Sequence, residues 1–164
     1  MKESSPRRKI LNPYTNLKGY NCFGCSPNNI HGLRMEFVEE GDFVISEWST
    51  ADHFSGYKNV LHGGVQASLM DEIASWSVQI KLKTAGVTAN LNIKYKKPVF
   101  ISEDKILIKA RIEKYKKKIA YIHTELFNSE GELCSEGEVK YFIYPEQHAR
   151  EKLYFPEHDR FFEK

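Results

Sequence analysis

One stretch of this chain keeps a different period from everything around it. Val65, Leu69, Ile73, Trp76 and Ile80 recur at steps of four, four, three and four, which places them on one face of a helix. The opposite side is not polar either, because Ala67, Met70, Ala74 and Val78 occupy it. A helix apolar on two sides must be wrapped by other elements rather than laid on a surface. It is expected to end near Thr84-Ala85-Gly86.

The wrapping must come from strands, because the apolar residues elsewhere alternate. Leu33, Met35 and Phe37 alternate with Arg34 and Glu36, and after a turn at Gly41-Asp42 the run Phe43 to Ser49 is rich in β-formers. Asp52 to Gly64 reads as a loop. Downstream, Ala89, Leu91, Ile93 and Tyr95 alternate with Asn90, Asn92, Lys94 and Lys96 until Pro98 closes the run. Ile106, Ile108, Ala110 and Ile112 form the next strand, followed by a basic turn at Tyr115 to Lys118. Ile119 to Phe127, a hairpin turn at Ser129-Glu130-Gly131, and a long strand from Leu133 to Tyr144 complete the pattern. The order is strand, strand, one long helix, then four strands. Helices do not alternate with strands, so the expected class is α+β: one long antiparallel sheet curled around one buried helix.

Composition narrows the function classes. With 164 residues, 41% of them hydrophobic and 13% aromatic, the chain can bury one real core. Its mean hydropathy is −0.53 and no long uncharged apolar run occurs, so no membrane-spanning helix is expected. The start, MKESSPRRKI, has basic residues but no apolar segment after them, against a secretory signal. A net charge of +2 is too balanced for a nucleic-acid binder. Three cysteines (Cys22, Cys25 and Cys134) point to a reducing, cytoplasmic setting without a disulfide framework. Residues 1–20 read as a polar, basic arm, 21–144 as the folded domain, and 145–164 as a tail with a short helix that docks on the body.

The segment with the most chemistry is Leu61-His62-Gly63-Gly64-Val65-Gln66-Ala67-Ser68-Leu69-Met70-Asp71-Glu72. Two glycines precede a helix, where free N–H groups and the helix dipole stabilise negative charge, as an oxyanion hole requires. A plain loop-to-helix turn explains a lone Gly-Gly equally well. Asp71 adds weight to the first reading. It sits beside Ala67, Ala74 and Val78, and a carboxylate among small apolar residues is costly without a purpose or a partner. Desolvation there would raise its pKa toward that of a working base or nucleophile. The plainer role is a loop cap or an ion pair with a lysine across a subunit contact. Glu72 ranks second, as a salt-bridge partner or a rim residue.

These residues resemble a family. His62-Gly63-Gly64 followed by an acid nine positions after the histidine is similar to the hotdog-fold acyl-CoA thioesterases, the 4-hydroxybenzoyl-CoA thioesterase-like superfamily that includes phenylacetic-acid-pathway thioesterases. Gly86 to Val99 resembles the family's strand after the helix, and Cys22-Phe23-Gly24-Cys25 with Asn28-Asn29 and Gly32-Leu33 resembles a segment preceding it in many members. The likeness spans approximately Asn21 to Tyr144. It implies that Asp71 is the catalytic carboxylate, as nucleophile or as base. It implies that the Gly63 N–H, with Gly64 beside it, holds the thioester oxygen at the helix start of the other subunit, that His62 shapes that turn, and that the Thr88 hydroxyl helps place water. It also implies a homodimer with sites at the interface, often paired into a tetramer. The substrate would be an acyl-CoA, with coenzyme A as part of it and no other cofactor or metal.

The sequence also departs from the family. Many members carry Asn or Gln six residues before the histidine; here that position is Gly56, with Ser55 or Asn59 as the nearest substitutes. Coenzyme A carries phosphates, so Lys114, Lys117 and Lys118 of the basic turn are candidates for the pocket mouth, with Lys94, Lys96 and Lys97 as a second cluster. A solvated turn is the plainer account of any one lysine. Cys22-x-x-Cys25 with His31 has the spacing of part of a zinc site, but His53 and Cys134 are only guesses at a fourth ligand, and free cysteines without metal are expected. His53-Phe54-Ser55-Gly56 resembles the start of a dehydratase motif on the same fold, but Ala67 and Ser68 stand where its glutamate would be. A non-catalytic acyl-CoA-binding or sensor module is the rival function. It would keep the pocket and have no use for Asp71.

Overall fold

The structure, a computed structural model, describes residues 6–103 and 105–163; residues 1–5 of the expected arm, together with 104 and 164, lie outside the described residues. Among the described residues the chain forms β1 (Arg7–Ile10), β2 (Phe37–Glu40), β3 (Phe43–Trp48), α1 (Gly63–Lys81), β4 (Gly86–Tyr95), β5 (Ile106–Lys116), β6 (Ile119–Phe127), β7 (Leu133–Ile143) and α2 (Glu146–Leu153). The strands make one antiparallel sheet in the order β1-β2-β3-β5-β6-β7-β4. The helix α1 lies against β3, β4, β5, β6 and β7. This is the expected α+β architecture, a curved antiparallel sheet around one central helix.

The two-sided apolarity of α1 is explained by what covers each side. Leu69, Met70, Ile73 and Ala74 are fully buried, as are Val44, Ile108, Ile122 and Val139 of the sheet. Each large side chain so buried contributes about 1.5–3 kcal/mol relative to exposure. Trp76 stacks on Phe37, with ring centroids 4.7 Å apart, and meets Phe161 of the C-terminal segment edge-on at 5.7 Å. Two tight turns complete the frame. Lys117 and Lys118, with φ of 51° and 65°, make a two-residue β5–β6 hairpin, while Asn128 and Gly131 close the β6–β7 hairpin.

Several elements differ from the sequence reading. The arm contributes β1, which pairs with β2 and ties Leu11 N–H to the Phe161 carbonyl at 2.8 Å. Leu33 and Met35 are buried as their alternation implies, but they precede the ladder rather than join it. Arg34 has φ 51°, which breaks the extended run, and the Leu33 and Met35 N–H groups bond back to the Phe23 and Gly24 carbonyls. The helix stops at Lys81, several residues before the expected Thr84-Ala85-Gly86, because Lys83 turns left-handed at φ 55°. Strand β5 runs on through Tyr115 and Lys116, so the basic turn is only Lys117-Lys118. The tail does contain a short docked helix, α2, with Ala149 buried.

Candidate active site

The α1 start is built from its own sequence. His62 is the N-cap, and its Nδ1 accepts the Gly64 N–H at 2.9 Å. Among the described residues no acceptor meets the Gly63 N–H. Tyr95, at the far end of β4, donates its hydroxyl to the Gly63 carbonyl at 2.7 Å, so the helix start is held against the β4 strand. A Cβ on Gly63 would make only ordinary 3.5 Å contacts with the Tyr95 ring. The glycine is therefore not demanded by packing within one chain, and it leaves the N–H approachable.

Asp71 lies two turns further along. It is half-buried, not sealed in an apolar interior, and it has partners. Thr88 Oγ1 donates to Asp71 Oδ1 at 2.7 Å. The Tyr141 hydroxyl lies 3.1 Å from both Oδ1 and the Asp71 carbonyl oxygen. Burial, then the neighbouring Asp71 charge, pushes the Tyr141 phenol far up, so it stays a donor. Both donors fall on Oδ1, and among the described residues Oδ2 has no partner.

A bulge makes this geometry. Thr88 pairs with Tyr141 across β4 and β7, but Asn90 pairs with Lys140, leaving Ala89 extra. An inserted residue reverses the side-chain phase of a strand. Leu91 and Ile93 face the helix as read from the alternation; beyond the bulge it is Thr88, not Ala89, that turns toward Asp71. Thr88 was a candidate by resemblance. Tyr141 was missed, although a tyrosine at an inward position of a buried strand signals a hydroxyl in need of a partner.

Glu72, one position on, faces the other way. Among the described residues it pairs with no base, and it lines no rim. Trp76 Nε1 donates to its Oε1 at 3.0 Å, and Cys22 Sγ lies 3.6 and 3.7 Å from its two oxygens. Burial pushes the Glu72 carboxyl up to about 7. The Cys22 thiol is pulled down to about 5 by the Cys25 side chain and by the N–H groups of Cys25 and Gly24, against its burial. Cys25 moves the opposite way, its thiol pushed up by the neighbouring Cys22 sulfur and by burial. His31 is exposed and lies outside this group, as do His53 and Cys134.

The remaining candidates occupy the loops. Gly56 N–H bonds the Val60 carbonyl at 2.9 Å, and its Cα faces the His62 ring at a spacing that would crowd a Cβ to 3.3 Å. Asn59 spends its side chain on Ser102, accepting from the backbone at 2.9 Å and donating to Oγ at 3.2 Å. Ser55 Oγ bonds the Asp52 carbonyl. Lys114, Lys117 and Lys118 are exposed at or near the β5–β6 tip, at the Gly86 end of β4, and form no ion pair among the described residues. In the second cluster, Lys96 and Lys97 pair with Glu136 and Glu132 at 2.9 and 2.6 Å.

Comparison with known proteins bears on the family and the fold. Residues 58–135 match the model of the thioesterase superfamily. Human acyl-coenzyme A thioesterase 13 is 32% identical over 96 residues, covering 57% of this chain and 68% of that protein. The fold is similar to a Streptococcus mutans structure bound to acetyl CoA (TM-score 0.65, 20% identity, 80% of this chain and 98% of that one). It is also similar to mouse thioesterase superfamily member 2 (TM-score 0.57, 28% identity, 63% and 82%). A helix carboxylate gripped from the following strand, a glycine-lined helix start and the match to a curated relative converge, and the chain belongs to the thioesterase superfamily.

Proposed function

We propose that this chain hydrolyses the thioester of an acyl-CoA, fatty or aryl, as a homodimer whose active sites lie across the subunit interface. The observation that carries the reading is Asp71, with Oδ1 gripped by Thr88 and Tyr141 and, among the described residues, no partner on Oδ2, beside the edge strand β4, whose outer side pairs with no strand among the described residues. Asp71 and Gly63 are eight residues apart on α1, about 12 Å along the axis, too far for one thioester carbonyl to meet both. Strand β4 supplies the remedy. It is a ten-residue edge, with Val87 42% and Tyr95 52% exposed, and such an edge invites pairing with another strand. An antiparallel two-fold pairing centred on Asn92 would set Leu91 opposite the partner's Ile93 and bring the partner's Tyr95 to the Thr88–Ala89 bulge. Asp71 would then face the helix start that Tyr95 holds.

In that arrangement the Gly63 N–H stabilises the charge that develops on the thioester oxygen. Asp71 either removes a proton from water, which attacks the carbonyl carbon, or attacks directly to form an acyl anhydride that water then opens. In both cases the C–S bond breaks and the coenzyme A thiolate leaves and takes up a proton. Lys114, Lys117 and Lys118 supply positive charge for the coenzyme's phosphates. A relative whose solved structure contains acetyl CoA supports this class of ligand.

The test is free-thiol release from a panel of short, long and aryl acyl-CoAs, with sedimentation velocity run alongside. Expected are turnover with at least one acyl group, a dimer or larger, and loss of turnover with retained CoA binding in Asp71→Asn. No release with any acyl group would replace hydrolysis by the binding-module reading, and a strict monomer would remove the shared site. Single turnover in ¹⁸O-water tests for the nucleophile role of Asp71, because label enters its carboxylate only when water opens an anhydride at the Asp71 carbon.

A further inference from the structure

The CxxC turn and Glu72 are not used by the proposed hydrolysis, yet they converge. One sulfur from each of Cys22 and Cys25 and one Glu72 oxygen lie within 4.8 Å of one another. A tetrahedral zinc with the usual bond lengths sets its S···O edges at about 3.5 Å and its S···S edge at about 3.8 Å. The Cys22 Sγ to Glu72 distances of 3.6 and 3.7 Å already match the first.

The surroundings are built to hold these donors. Ser26 N–H bonds the Cys22 carbonyl at 3.1 Å, and the Phe23 and Gly24 carbonyls take the Leu33 and Met35 N–H groups at 2.7 and 2.9 Å, which fixes the turn. A Cβ on Gly24 would fall 2.3 Å from the Glu72 carboxylate, so the glycine lets the turn close over that group without displacing it. Trp76 holds Oε1 from behind at 3.0 Å. The Tyr20 hydroxyl sits 2.9 Å from Cys25 Sγ and is itself bonded by Asn12, which also reaches the Cys25 carbonyl. Outer groups of this kind orient metal ligands.

We propose that Cys22, Cys25 and Glu72 bind a zinc-class cation through two thiolates and a carboxylate, with the fourth position open to water, and that this cation fastens the turn to α1. Both cysteines bind as thiolates, so any thiol proton still present is released to solvent on binding. His31, the histidine nearest in sequence, is not a ligand.

The experiment uses the full chain under a non-thiol reductant. Zinc content is measured after purification, and cobalt(II) is titrated in as the spectroscopic probe. Expected are about one zinc per chain and a thiolate-to-cobalt charge-transfer band, lost in Cys22→Ser and Cys25→Ser and retained in Cys134→Ser. In Glu72→Gln the cobalt affinity falls by about tenfold or more. Cadmium-113 NMR of the unmutated chain, with a shift diagnostic of two sulfur ligands, keeps the test decisive if a serine variant fails to fold. Absence of the band in the unmutated reduced chain, or a band untouched by Cys22→Ser and Glu72→Gln, would overturn the proposal. None of these readouts depends on thioester hydrolysis.

Discussion

Asp71 and Glu72 are neighbours in sequence and carry the same functional group, yet they sit in opposite kinds of place. Asp71 looks toward the β4 edge and takes two O–H donors on one oxygen, the other having no partner among the described residues. Glu72 looks toward a closed turn and is held by an indole N–H among sulfurs. One residue of helix turns the side chain by about 100°, enough to move it from an open sheet edge to a covered side. A carboxylate's role is therefore set by which surface its rotation meets, and not by its being an acid on a buried helix.

The largest test of that contrast is turnover. Asp71→Asn should lower kcat by about 10²–10⁴-fold, with Glu72→Gln losing far less. Comparable losses in acyl-CoA thiol release would erase the distinction. Next come the donors to Asp71. Tyr141→Phe and Thr88→Ala should each cost about tenfold in kcat and about 1 kcal/mol of stability, read from steady-state rates and urea midpoints. On the other side, Gly24→Ala places a Cβ against the Glu72 carboxylate and should destabilise by about 1–3 kcal/mol in urea unfolding while leaving the Asp71 pocket shape untouched.

The smallest effect belongs to the anchor that fixes the far end of α1. Lys81 bonds Glu39 at 2.5 Å, and Arg8 of β1 reaches the same carboxylate. Burial pushes the Glu39 carboxyl up, but the Lys81 and Arg8 bonds outweigh it and hold it below its ordinary value. Its contribution is therefore present above the unfolded carboxylate pKa of about 4.3 and lost as pH falls through the lower folded value. Glu39→Gln should cost less than about 1 kcal/mol at neutral pH and nothing in strong acid, a difference that thermal melts at the two pH values resolve.

Much of the fold was legible because its signals are local. The steps between Val65 and Ile80 announced a two-sided helix, and strand β6 falls where its alternation placed it. The segment Leu33–Phe37 shows the limit. Alternation named the inward residues correctly, but a left-handed Arg34 keeps them out of the ladder, and nothing in the local pattern marks it. Among the candidate site residues, His62, Gly63 and Asp71 were named from their spacing and resemblance and Thr88 from resemblance alone, and the structure brings Thr88 and Asp71 into contact. Tyr141, seventy residues from Asp71, was not, because its partner is chosen by strand pairing.

By itself the sequence determined that one helix is enclosed by an antiparallel sheet and that an acid and a glycine-rich helix start share that helix. Periodicity is written residue by residue, and burial follows from it. Only the tertiary structure decided which way the two acids look, that a bulge at Ala89 turns Thr88 inward, and that a cysteine turn closes over Glu72. Those outcomes depend on register and long-range packing, where one inserted residue reverses a face, and no local pattern encodes that phase.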